Sequence, residues 1–146
     1  MDKYTIGIDP GSTKGHGVST YKNEKLIDLR MCSLIQLMQY LQNFNPDEVV
    51  IHLEDVYSSK GAYRVLPKDS KASAAAKGRS IGRCDWAQVE VERLCEHFGI
   101  KLIKHKISKC WKDKNGKAQF EKVTGWTGRS NEDTRSAAYF GWLGLQ

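Results

Sequence analysis

The sequence contains no apolar run approaching the roughly 20 residues that a membrane-spanning helix needs, and it has only three prolines in 146 residues. Its four cysteines, Cys32, Cys84, Cys95 and Cys110, include no Cys-x-x-Cys pair, which argues against a zinc site. No internal repeat, low-complexity tract or long linker breaks the chain, so one domain over residues 1–146 is expected. Residues 1–4 run straight into a strand pattern, and no secretory signal is expected. Scattered thiols in such a chain predict reduced, mostly buried cysteines and a cytoplasmic protein. Acidic charge is the minority: 23 Lys and Arg stand against 17 Asp and Glu, a net charge of +6. A basic surplus fits a nucleic-acid partner, although solvated basic faces also produce one.

What is present is a sharp alternation of element signals. Tyr4-Thr5-Ile6-Gly7-Ile8-Asp9 alternates with period two and predicts a strand. Pro10-Gly11-Ser12-Thr13 turns the chain. Residues 16–21 and 25–31 predict two more strands around the turn Lys22-Asn23-Glu24. Ser33 is placed as the cap of a helix carrying Leu34, Leu37, Met38 and Leu41. Val49-Val50-Ile51-His52-Leu53 is apolar enough for a buried central strand, and it ends at Glu54-Asp55. Residues 57–70 are polar, basic and glycine-containing, the composition of a mobile loop. A long helix is expected from about Ala72 to Phe98, with Ala87, Val91, Leu94, Cys95 and Phe98 on its apolar face and Gly99 at its end. Residues 100–106 alternate as a further strand. Residues 107–130 predict irregular or weakly helical chain, and Ser130 is placed as the cap of a last helix.

Three acids stand at the edges of these elements. Asp9 ends the first strand, Glu54 ends the buried strand, and Asp133 opens the last helix. If the first and fourth strands are neighbours, Asp9 and Glu54 meet at one sheet edge, and the last helix can carry Asp133 over them. Clustered carboxylates repel one another unless cations neutralise them, and Mg²⁺ takes oxygen ligands. Two such ions can activate water and stabilise the leaving oxygen in phosphodiester cleavage. Ordinary structural roles stay open for each acid: a turn former before Pro10, a solvated strand end, or a partner of the helix dipole.

Three motifs carry a family resemblance. Gly7-Ile8-Asp9-Pro10-Gly11-Ser12, Leu53-Glu54-Asp55-Val56 and Asn131-Glu132-Asp133-Thr134-Arg135-Ser136-Ala137-Ala138 resemble the acidic motifs of RuvC-like Holliday junction resolvases, the last of them particularly in phage-encoded members. The element order βββαβαβα is similar to that of this ribonuclease-H-like superfamily, a mixed five-stranded sheet flanked by helices. The resemblance implies Asp9, Glu54 and Asp133 as ligands of two Mg²⁺ or Mn²⁺ ions. It also implies a homodimer that nicks two strands of a four-way DNA junction symmetrically, in a bacterial or phage-infected cell, with no organic cofactor and no membrane. The sequence departs from the family at Ser136, where an aspartate three residues after the first acid is the pattern; a branched-DNA binding protein with a weakened site, or a related nuclease acting on flaps or RNA–DNA hybrids, therefore stays open as an alternative. Glu132 shares a helix face with Ser136 and is a candidate to reach the metal in its place. The opening motif also resembles the phosphate turn of sugar kinases and related ATPases, but these need two such domains, and no second phosphate motif is present.

The remaining candidates concern DNA. Tyr57, Lys60, Tyr63, Arg64 and Lys68 interleave aromatic rings with positive charge, which suits unpaired bases and phosphates. Lys77, Arg79 and Arg83 continue the basic stretch onto the long helix, and Lys109, Lys112 and Lys122 precede the last acidic motif. One of these lysines is expected near the scissile phosphate. Gly78 and Gly82 lie four apart inside the long helix, where glycine is unfavourable by about 1 kcal/mol against alanine, so they predict close packing within the chain, against a second copy, or against a DNA backbone.

Overall fold

The computed structural model describes residues 2–56 and 70–146, and most of the loop expected over 57–70 lies outside them. Three antiparallel strands open the chain: β1 (Tyr4–Asp9), β2 (His16–Lys22) and β3 (Lys25–Cys32). Then come α1 (Leu34–Leu41), a short 3₁₀ turn at Pro46–Glu48, β4 (Val49–Asp55), α2 (Lys71–Phe98), β5 (Lys101–Lys106), α3 (Lys114–Thr124) and α4 (Glu132–Leu143). The strands form one mixed sheet in the order β3-β2-β1-β4-β5, with β1, β4 and β5 parallel.

Period-two alternation sorts the side chains between two layers. Ile6 and Ile8 of β1 lie beside Ile51 and Leu53 of β4. They bury against Leu37 and Leu41 of α1 and Val91 and Cys95 of α2. The opposite face carries Gly7, Asp9, Gly17, Ser19 and Glu54, and α4 lies across it. Gly7 and Gly17 are needed there. A Cβ on Gly7 would collide with the Ala137 carbonyl oxygen and sit 2.5 Å from the Gly141 nitrogen, while one on Gly17 would collide with the Asp133 backbone. Ser19 donates to the Ala137 carbonyl at 2.8 Å and Tyr21 to the Ala138 carbonyl at 2.7 Å, so α4 is both packed and bonded to the sheet. A second cluster, Tyr21, Leu26, Trp111, Phe120 and Ala138, fills the space under α3 and α4.

Most expected elements appear, with their caps. Ser33 closes a capping box with Gln36, Ser70 caps α2, and Gly99 ends it in the left-handed conformation at φ 69°. Three expectations are corrected, and one of three open alternatives is narrowed. Residues 107–130 contain an ordered 11-residue helix, α3, capped by Asp113. Its burial of Phe120 against Trp111 overrides a weak local pattern. The cap of α4 is Asn131 rather than Ser130, because Asn131 accepts from the Thr134 amide at 2.8 Å while its own amide donates to the Thr134 hydroxyl at 2.9 Å. The cysteines are not mostly buried: Cys32 and Cys95 are, Cys84 is half-buried and Cys110 is exposed. Finally, no atom of the described residues comes within 4 Å of a Cβ built on Gly78 or Gly82. Packing against the described residues therefore does not explain them.

Candidate active site

The site grows out of the strand ends. In the parallel pair β1–β4, Ile8 is opposite Leu53, which sets Asp9 beside Glu54 on the α4 face. Both acids are buried, at 7% and 5% exposure. Asp133 arrives from the first turn of α4, whose backbone rests on Gly17, the β2 partner of Asp9. The segment before α3 brings Lys112, whose Nζ lies 3.4 Å from Asp9 Oδ2. These four side chains, with Arg83, Cys84 and the turn 10–15, line an open cavity of about 300 Å³.

Burial and mutual repulsion dominate the electrostatics. Desolvation, then the Asp9 charge, raises the Glu54 carboxyl to about 8, against the pull of Lys112 and the Ser108 backbone N–H. Asp9 is also raised by burial and by Asp133, while Lys112 and the Ser136 hydroxyl pull it down. Burial alone would lower Lys112, but Asp9, Glu54 and Asp133 together raise it, so it stays an ammonium. Ser136 is 1% exposed and faces Asp9. Neither Ser136 Oγ nor Asp9 Oδ2 attains hydrogen-bond geometry with any described residue. A buried carboxylate oxygen without a donor is a strained arrangement that a cation relieves. The donor set of Asp9 and Glu54, with Asp133 on the same cavity wall, therefore suits a hard divalent ion. Among the described residues, no three His, Cys, Asp or Glu side chains are drawn together as a ready-made metal cluster.

The other expected site residues fall in several places. Glu132 is exposed and does not line the cavity, because it stands about 100° round the helix from Asp133, which does. Of the three candidate lysines, only Lys112 reaches the acids; Lys109 and Lys122 are exposed elsewhere. Arg83 lines the cavity, and Lys77 and Arg79 lie further along α2. Tyr57, Lys60, Tyr63, Arg64 and Lys68 lie outside the described residues. Two features were not read from the sequence. His52 and His105 share a 2.8 Å ring–ring hydrogen bond under α4. Arg135, only 7% exposed, donates from Nε to the Trp111 carbonyl at 2.8 Å and from Nη2 to the Lys112 carbonyl at 2.6 Å. An arginine amid the small, buried residues 134–138 was the available signal.

Solved structures of this shape include RuvC from T. thermophilus in complex with a Holliday junction substrate. Its TM-score is 0.58 at 13% identity, over 96% of this chain and 90% of that one. They also include the Fowlpox virus resolvase in complex with substrate Holliday junction DNA, with a TM-score of 0.51 at 14% identity, over 96% of each chain. No family model matches the sequence, and no curated protein does. The chain therefore has the ribonuclease-H-like fold of the RuvC-type resolvases. No helix among the described residues is long and apolar enough to cross a membrane.

Proposed function

We propose that this chain is a structure-specific DNA endonuclease that resolves four-way junctions. The observation that carries the reading is the buried Asp9–Glu54 pair at adjacent parallel strand ends, which shares one open cavity with Asp133 and Lys112. It is supported by the fold shared with two resolvases solved on junction DNA. Asp9 and Glu54, with Asp133, would hold Mg²⁺ or Mn²⁺, which supplies an activated water and stabilises the leaving oxygen. The chain's own contribution is electrostatic. Lys112 sits where it can offset charge on a phosphate entering the cavity, and Arg83 on the rim can hold the backbone.

A homodimer is part of this reading. Gly78, Gly82 and Trp86 follow at four-residue steps on α2; no described residue meets a Cβ on either glycine, and Trp86 is 52% exposed. Small residues flanked by a large aromatic suit helix-on-helix contact with a second copy. A second reading, a branched-DNA binding protein with a weakened site, is favoured by Ser136, which stands buried beside Asp9 where the resemblance implies aspartate.

The deciding experiment is cleavage of a labelled synthetic four-way junction, with and without Mg²⁺ or Mn²⁺, against linear duplex and flap competitors. Paired symmetric nicks that vanish without metal and in Asp9→Asn are expected. Tight junction binding without nicks would instead establish the second reading.

A further inference from the structure

We propose that Lys112 is the resident counter-ion of the Asp9–Glu54 pair, locked there by Arg135, and that a divalent cation must displace its ammonium to enter. This rests on the metal reading above but concerns the site before metal arrives. Two buried carboxylates side by side are unfavourable without a cation. The cation in the structure is the Lys112 ammonium, 3.4 Å from Asp9 Oδ2. That oxygen is fully buried and accepts no hydrogen bond from the described residues, so the charge of Lys112 is its compensation.

The lysine is held from behind. Arg135 donates to the carbonyls of both Trp111 and Lys112, and its Nη1 lies 3.1 Å from Ser130 Oγ. Trp111 has a φ of 66°, a left-handed conformation that a bulky residue keeps only when its surroundings impose it. Its ring is fixed among Phe120, Tyr139 and Trp142. Gly116 lies so close beneath it that a Cβ there would sit 2.6 Å from the Trp111 Cα. The backbone at Lys112 therefore has no freedom, and only its side chain, 30% exposed, can leave the acids. Asp133 and Arg135 are two residues apart on α4. One helix thus places the third acid directly and the lysine through its neighbour's carbonyls, which makes Arg135 a positioning residue.

The consequence has an unusual sign. Damage to a metal site lowers metal affinity, whereas removal of a resident competitor raises it. The full chain is titrated with Mn²⁺ alone, free ion being followed by electron paramagnetic resonance, at one alkaline pH and low salt. Lys112→Met is expected to bind Mn²⁺ tighter by about tenfold or more. Arg135→Gln, which frees the lysine, is expected to bind tighter by a smaller factor, with Arg135→Lys between it and the parent. Equal or weaker binding by Lys112→Met, while the parent binds Mn²⁺ and Asp9→Asn does not, overturns the inference and leaves the nuclease reading intact. Weaker binding by Arg135→Gln alone overturns the positioning role. No Mn²⁺ binding by any variant sinks the metal reading and this inference with it.

Discussion

Gly17→Ala tests whether the sheet face sets the position of the third acid. Gly17 pairs with Asp9 across β1–β2 and lies directly under the Asp133 backbone. A Cβ at that point would sit 2.7 Å from the Asp133 carbonyl carbon, and closer still to its oxygen. Both neighbours are backbone, one in a strand and one in a helix, so neither can rotate away as a side chain would. To restore ordinary contact, the first turn of α4 must retreat by at least about 0.7 Å. Overpacking of this kind destabilises by about 1–3 kcal/mol. A displacement approaching 1 Å at a catalytic group lowers turnover by about 10²-fold, beyond whatever fraction is unfolded. Urea denaturation followed by tryptophan fluorescence gives the first quantity, and single-turnover junction cleavage under conditions where the variant is fully folded gives the second. Gly82→Ala is the control for the stability measurement alone, since Gly82 belongs to the proposed dimer face. No described atom meets its Cβ, so a monomer should gain about 0.5–1 kcal/mol from helix propensity. If Gly17→Ala is as stable and as active as the parent, α4 does not rest on β2, and the sheet face does not set the position of Asp133.

Further expectations follow from the same geometry. Ser136→Ala should leave stability unchanged or raise it by up to about 1 kcal/mol, because its buried hydroxyl attains no hydrogen-bond geometry with any described residue. Ser136→Asp should destabilise the metal-free protein, regain stability on Mn²⁺ addition and cleave junctions faster; a thermal melt unmoved by Mn²⁺ would count against a third ligand at this position. Glu54 has a folded pKa of about 8 against an ordinary 4.5, so the folded protein retains a proton that the unfolded chain releases, and metal-free stability should fall as pH rises towards 8. Urea midpoints between pH 6.5 and 8 test this, and Glu54→Gln should flatten the slope. His52 has the opposite sign: burial, then the charges of His105 and Lys101, lower it to about 4, so its contribution is present above 6.5 and lost as pH falls towards 4. In the Glu54→Gln protein an acid-side loss should remain, shared with His16 and His105, which burial also lowers; its absence would refute a buried neutral imidazole pair.

What could be read from the sequence, and what could not, follows the range of the interactions. Asp9 and Glu54 were legible because each stands at the C-terminal end of a strand, one alternating and one continuously apolar, and the two meet once those strands are neighbours. Ile6 and Ile8, with Ile51 and Leu53, have to face one buried layer, and that places the two acids together on the other face. Asp133 was legible from its place in the first turn of a capped helix. The rotation of that helix was not: its packing on Gly7 and Gly17 of the sheet puts Asp133 over the cavity, Glu132 in solvent and Ser136 in the core. Lys112 could not be told from Lys109 or Lys122, because the segment before α3 has no periodicity of its own. Its conformation is imposed by a guanidinium 23 residues further on. Gly78 and Gly82 show the converse. Their spacing predicted a close contact, and no described residue of the same chain supplies it. Local pattern thus finds the groups that sit at the ends of regular elements. The group that sets their charge is reached only through a long-range polar contact, which leaves no periodic trace. A buried arginine beside an acidic motif is the sequence mark of such a contact, because its guanidinium must find acceptors elsewhere in the chain.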